Sequence, residues 1–280
     1  MPELPEVETV RTQLDAQIRG ATILDIQIWK SGREKPAGEA LRHFLEGKSV
    51  SEVQRRAKLL VWKFDDGSAM TAHLKMTGKF VFVDADYEPS KHDRMLFRFS
   101  ARGGSAFGGD NDIYLVWNDV RKFGFVHAVS EKELENILSK YGPEPLESDV
   151  TYLVTRIKEP KTRTIKSALL NQQVIAGIGN IYADEACFRA GIRPTRRLGR
   201  LNENERVNLM THVKELLREA VEQRGTSAND YVDTEGKKGG FLSLLRVYGR
   251  TGEPCVNCKT PIKKIVLAQR GTHYCSECQT

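Results

Sequence analysis

Four cysteines near the end of the chain set the first hard constraint. They stand as Cys255-x2-Cys258 and Cys275-x2-Cys278, with sixteen residues between the pairs. Each CxxC pair brings two sulfurs round one turn onto one ion, and two pairs complete a tetrahedron. The competing use is a pair of disulfides. The opening MPELPEVETV has neither a basic start nor an apolar run, so the chain is read as not exported, and disulfides are disfavoured. The segment is expected to form a zinc ribbon, with arms such as KKIVLAQ. Four thiolates leave no open coordination position, so the single Zn2+ is expected to be structural. The fifth cysteine, Cys187, lies beside Ala186 and Phe188 in a helical pattern and is read as core.

The same segment carries the charge of the chain. Net charge is +6 over 280 residues. Between 236 and 280 stand Lys237, Lys238, Arg246, Arg250, Lys259, Lys263, Lys264 and Arg270, against only Glu253 and Glu277. A basic end on an otherwise balanced chain suits a polyanion, which for a soluble protein usually means nucleic acid; on charge alone it equally suits a solvated tail. No apolar run approaches the roughly 18 residues of a membrane span. The chain is expected to be cytoplasmic, with no membrane partner, and monomeric.

The pattern before the ribbon divides in two. Val7, Val10, Leu14 and Ile18 recur at helical spacing over 5–19. From 21 to 129 short β-rich runs follow one another, at 59–64, 79–83, 95–99, 113–117 and 123–129, broken by turns such as Asp66-Gly67. This predicts an antiparallel sandwich or barrel behind one helix, with a loop at 103–112. Ser130 and Glu133 form a capping box for a helix ending near Tyr141. GPEP (142–145) is a stiff linker. Helices are expected at 162–171, 180–190 and from Asn202 to Gly225, the last with Val207, Met210, Val213, Leu217 and Val221 inward. TEGKKGG, within 226–245, reads as a mobile loop. The expected class is α+β, with domains at 1–141, 146–235 and 236–280.

The N-terminus carries chemistry. A small second residue favours removal of Met1, which would leave Pro2 with a free secondary amine. Such an amine attacks aldehyde-like carbons, as lysine does in Schiff-base enzymes. Its iminium has no N–H to lose, stays cationic and acts as an electron sink. On a DNA sugar this favours loss of the 3′ phosphate. Glu3 stands beside it as a general acid–base group. Taken alone, PELPE better suits a proline-bracketed helix start with acidic residues at the positive end.

The blocks MPELPEVETV, QRRAKLL (54–60), HLKMTGKF (73–80), DVRKFG (119–124), GIGNIYADEA (177–186), VYGRTGEPC (247–255) and the terminal CxxC pairs, in that order along the whole chain, resemble the formamidopyrimidine-DNA glycosylase family. PELPE, with Leu4, resembles its oxidised-purine branch; the sister endonuclease VIII branch, which acts on oxidised pyrimidines, usually has Gly there. The resemblance implies a β-sandwich, a helix–two-turn–helix domain and a zinc ribbon that bind damaged double-stranded DNA. The implied function is a bifunctional glycosylase and AP lyase of base excision repair, which removes 8-oxoguanine and formamidopyrimidines and nicks the strand by β,δ-elimination through a Pro2 Schiff base. The implied catalytic residues are Pro2, Glu3, Lys58 and Arg270, the last gripping phosphates beside the lesion. Met76, Arg121 and Phe123 match residues that fill the gap left by an everted base, although Met76 and Phe123 alone also suit strand packing. Asn180, His92 and Lys161 match positions that touch the DNA backbone; Asn180 also suits a plain N-cap. Lys122 stands where some members have a second Arg. The loop near 226–240 varies in the family, so no base-reading residue is assigned there.

Overall fold

The structure is a computed structural model that describes residues 1–29, 33–101, 112–158, 161–228 and 230–280. In chain order the first elements are α1 (Leu4–Ile18), β1 (Ile23–Ile28), β2 (Glu34–Lys35), α2 (Glu39–Leu45), β3 (Val50–Arg56), β4 (Leu59–Phe64), β5 (Ala69–His73), β6 (Gly78–Val83), β7 (Asp93–Phe99), β8 (Ile113–Asp119), β9 (Phe125–Val129) and α3 (Glu131–Leu138). There follow α4 (Val150–Arg156), α5 (Ile165–Leu169), α6 (Asn180–Arg189), α7 (Glu203–Glu222), β10 (Lys263–Leu267) and β11 (Arg270–Tyr274). The chain divides into two compact units, one of 1–139 with 224–240, the other of 140–223 with 241–280.

The first unit is a sandwich. One sheet runs β1-β7-β8-β6 and the other β2-β9-β5-β4-β3. The pairings are antiparallel except β2 with β9. Between the sheets Trp62 meets Phe80 and Phe97 at 5.4 Å and Phe99 at 5.9 Å, and Phe80 meets Trp117 at 4.7 Å. Burial of each such side chain stabilises by about 1.5–3 kcal/mol. α1 lays Val7, Val10, Leu14 and Ile18 into the same core, all at most 1 % exposed. The expected capping box at Ser130 and Glu133 is present, and it starts α3.

Several expectations need correction. β3, β5, α2 and α4 carry no clear period in the sequence and appear only here. The helix read at 162–171 shrinks to Ile165–Leu169, because Thr164 pairs with Arg197 as an isolated bridge and the stretch before it is drawn into that pairing. Val207, expected inward on α7, is 42 % exposed; the buried stripe is Leu209, Met210, Val213, Leu216, Leu217 and Ala220. The loop expected at 103–112 lies outside the described residues apart from Asp112. Within the stretch read as mobile, Thr234 is fully buried: its N–H and hydroxyl donate to Gln13 Oε1 at 3.0 and 2.9 Å, and its carbonyl accepts from the Phe82 N–H at 2.9 Å. Those bonds bind this part of the stretch into the first unit.

The second unit buries apolar residues of its helices, among them Leu153, Ile165, Leu209 and Leu217, and has a separate, smaller apolar centre under its ribbon, formed by Phe188, Val247, Cys255, Ile262 and Cys275. Among the described residues no helix is long and apolar enough to cross a membrane.

Candidate active site

Pro2 is buried and immediately precedes α1. Glu3, 2 % exposed, is the N-cap of that helix. The Glu3 N–H donates to Glu6 Oε2 at 2.7 Å, and the Glu3 carboxylate accepts the Glu6 N–H, a reciprocal capping box. A carboxylate at this end of a helix is favoured by the helix dipole. Glu6 reaches further: its Oε1 accepts the Thr226 N–H at 2.7 Å. A Cβ at Gly225 would fall 2.6 Å from Glu6 Oε1, so the chain passes here only without a side chain. The start of α1 is thereby fixed on both sides.

Lys58 is the second residue of a tight two-residue turn between β3 and β4, where Arg56 faces Leu59 and Ala57 takes φ +56. Arg55 braces this turn. Its Nη1 donates to the Ala57 carbonyl at 3.0 Å and its Nε to Glu8 Oε2 at 2.7 Å. Glu8 lies on α1, so the helix that carries Pro2 also steadies the turn that carries Lys58. Lys58 is 6 % exposed. Burial, with the charges of Lys75 and Lys58, pushes the nearby His73 down to about 3. His73 is therefore neutral, and its Nδ1 accepts the Lys75 N–H at 3.0 Å.

Met76 and Phe123 are each 40 % exposed, on two separate turns. Neither packs in a strand. Lys122 takes φ +60, and this bends the β8–β9 connection so that the Arg121 guanidinium lies 5.1 Å from the Phe123 ring centre. The structure brings Met76, Arg121 and Phe123 together through two residues the sequence reading missed. The Thr77 hydroxyl donates to Asp119 Oδ1 at 2.6 Å and accepts the Arg121 N–H at 2.9 Å, and Asp119 Oδ2 accepts the Gly124 N–H at 2.7 Å. Both residues stand inside blocks already singled out, but nothing local marks them as partners. His92 is half-buried, and its carbonyl accepts the Asp119 N–H at 3.0 Å.

In the second unit, Asn180 is the first residue of α6 rather than its cap, which is Gly179. Its Nδ2 donates to the Gly271 carbonyl at 3.0 Å. The same carbonyl accepts from Lys166 Nζ at 2.9 Å, and Lys166 pairs with Asp184 at 2.6 Å, both fully buried. Asp184 Oδ2 in turn accepts the His273 N–H at 2.9 Å. This network holds the strand that begins with Arg270. Ala268 and Gln269 take φ +50 and +58, a two-residue turn that leaves Arg270 exposed. Glu185, fully buried, accepts N–H bonds from Arg246, Val247 and Tyr248 at 2.8–2.9 Å; burial raises its carboxyl above the usual range against the pull of those bonds. Lys161 is exposed and lies against Gly199, where a Cβ would come within 2.9 Å of the lysine Cβ. Cys187 is buried core, and burial raises its thiol far above the usual range.

The sulfurs of Cys255, Cys258, Cys275 and Cys278 all lie within 4.8 Å of one another, with Cys255–Cys278 at 3.8 Å and Cys258–Cys275 at 3.4 Å. A disulfide would need about 2 Å. Four sulfurs at tetrahedral zinc distance stand about 3.8 Å apart. The donor set fits one structural zinc ion.

Residues 1–126 match the formamidopyrimidine-DNA glycosylase N-terminal domain, 141–231 the H2TH domain of the same enzymes, and 252–280 the zinc finger found in FPG and IleRS. The chain is 40% identical to the formamidopyrimidine-DNA glycosylase of Bacillus licheniformis over 285 residues, covering 100% of this chain and 99% of that protein. Two solved complexes of the Lactococcus lactis Fpg, one with DNA containing an abasic site and one of a mutant with DNA containing Fapy-dG, match with a TM-score of 0.88 and 34% identity, each covering 99% of both chains.

Proposed function

The chain belongs to the formamidopyrimidine-DNA glycosylase family, and from that premise we propose that it excises oxidised purines, 8-oxoguanine and formamidopyrimidines, from duplex DNA and nicks the strand at the site it creates. The observation that carries this reading is Pro2 beside Glu3 at the fixed start of α1, with Lys58 on a turn braced by that same helix.

The chemistry follows from these groups. Once Met1 is removed, the Pro2 nitrogen attacks C1′ of the damaged nucleotide. The bond to the base breaks, and the base leaves with a proton. Glu3 protonates the ring oxygen, the sugar opens, and the Pro2 nitrogen becomes a cationic iminium. Lys58 assists base release and the removal of the C2′ proton. The electrons released there expel the 3′ phosphate. A second elimination expels the 5′ phosphate, with Arg270 on the flanking phosphates, and water then frees the sugar fragment from the nitrogen. Met76, Phe123 and Arg121 occupy the space of the everted base: the thioether and ring restore stacking, and the guanidinium meets the orphaned partner base. Asn180, His92 and Lys161 hold backbone phosphates. Cys255, Cys258, Cys275 and Cys278 would hold a zinc ion through four thiolates, which would leave no position open for bond breaking. Its role would be to keep the hairpin of Arg270 in shape.

The test is base release from duplexes carrying 8-oxoguanine or thymine glycol. Wild-type protein should prefer 8-oxoguanine, and Pro2→Gly should release it about a hundredfold more slowly or worse, with residual activity from the primary amine that remains. A preference for thymine glycol would move the chain to the pyrimidine branch. A Pro2→Gly variant at full rate would remove Pro2 as nucleophile.

A further inference from the structure

The two turns that carry Met76 and Phe123 belong to separate connections, β5–β6 and β8–β9, each crossing from one sheet to the other, yet one hydroxyl joins them. Thr77 Oγ1 has one hydrogen to donate and lone pairs to accept. It donates to Asp119 Oδ1 at 2.6 Å and accepts the Arg121 N–H at 2.9 Å. Asp119, 1 % exposed, also takes the Arg121 N–H at 3.2 Å and the Gly124 N–H at 2.7 Å. One end of the 121–124 turn is thus tied to Thr77, the residue that follows Met76, and the other to Asp119, to which Thr77 is itself bonded. Beneath them the packing leaves no slack. A Cβ at Gly78 or at Gly124 would fall 2.6 Å from the Trp117 ring, so both chains lie directly on that ring. The base of the pair is buried and hydrogen-bonded, while the tips, Met76 and Phe123, stay 40 % exposed.

We propose that the Thr77 hydroxyl latches the Met76 turn to the Arg121–Phe123 turn, so that the two wedges enter a duplex as one unit. The proposal rests on the reading of Met76 and Phe123 as wedges. Thr77 is a positioning residue: it touches no reacting atom, and it sets the spacing of the groups that replace the everted base. Independent wedges would each recover their own share of lost stacking, and removing both would multiply the losses. Latched wedges are coupled, so loss of one already displaces the other and the double loss falls short of the product.

The experiment is stopped-flow fluorescence of 2-aminopurine placed beside 8-oxoguanine in a duplex, which reports eversion by the full-length protein. Thr77→Val keeps the shape and removes the hydroxyl; it should slow eversion about tenfold, the worth of one buried hydrogen bond. Thr77→Ser keeps both bonds and should stay within about twofold of wild type. The shortfall between Met76→Ala, Phe123→Ala and their double variant should vanish in the Thr77→Val background. Thr77→Ala repeats the measurement should the valine variant fold poorly. If Met76→Ala and Phe123→Ala are slow while Thr77→Val everts at the wild-type rate, the wedges stand and the latch is refuted. If neither Met76→Ala nor Phe123→Ala slows eversion, the wedge reading itself is overturned, and the latch with it.

Discussion

The two units hold their candidate functional groups by different means. In the first, Pro2, Lys58, Met76 and Phe123 sit at turns and a helix start above a large aromatic core of Trp62, Phe80, Phe97 and Phe99. In the second, the apolar centre under the hairpin is small, and Arg270 is held by four thiols and by a buried chain of polar contacts, Lys166 to Asp184 to His273. A core that repels water tolerates exposed tips around it. A support made of charge and metal weakens when any one member is lost, because a buried charge then loses its counter-charge.

That contrast can be broken in three ways. Loss of zinc has the largest expected effect. Structural zinc contributes about 10–16 kcal/mol of apparent binding energy in small ribbons, so Cys258→Ser or a strong chelator should unfold the hairpin, abolish tight DNA binding and leave the aromatic near-UV signal of the sandwich. Unchanged affinity in metal-free protein would show that the ribbon does not support the DNA contact. Next is Asp184→Asn, which removes the carboxylate paired with the fully buried Lys166 ammonium and should cost the second unit about 3–5 kcal/mol. Two calorimetric transitions, of which only one shifts, would sharpen the distinction; an equal shift in both would erase it. The smallest effect concerns His73 in the first unit. Its pKa is depressed from the ordinary 6.5 to about 3 by burial and by Lys75 and Lys58. The unfolded chain takes up the proton first, so the contribution of His73 is present above pH 6.5 and is lost as pH falls toward 3. His73→Phe should flatten that acid limb of stability. An unchanged limb would mean that the imidazole is not held neutral.

How much could be read from the residues follows the same division. The periods that put Val10 and Leu14 on one face of a helix, and Leu59 to Phe64 in a strand, are local and survive folding. The CxxC spacing is local too, and its four sulfurs meet as expected. Thr77 and Asp119 are 42 residues apart, and Lys166 and His273 meet through Asp184. Nothing in a window of ten residues marks them, because their partners are chosen by tertiary packing. Val207 shows the converse: an apolar residue at nearly the right phase lies outside because the stripe of α7 runs through Leu209 and Leu216. The chemistry proposed for Pro2 rests on whole blocks of sequence, not on any local pattern. The fold contributes the reason it is held still, through the Glu3–Glu6 capping box and the Arg55 brace.

The central claim is that one backbone nitrogen forms the bond to DNA. Borohydride reduction of the protein with a duplex containing 8-oxoguanine, followed by peptide mass mapping, tests it directly. The adduct should fall on the N-terminal peptide, at Pro2, with Met1 absent. An adduct on Lys58 or another lysine, or active protein that retains Met1, would contradict the account.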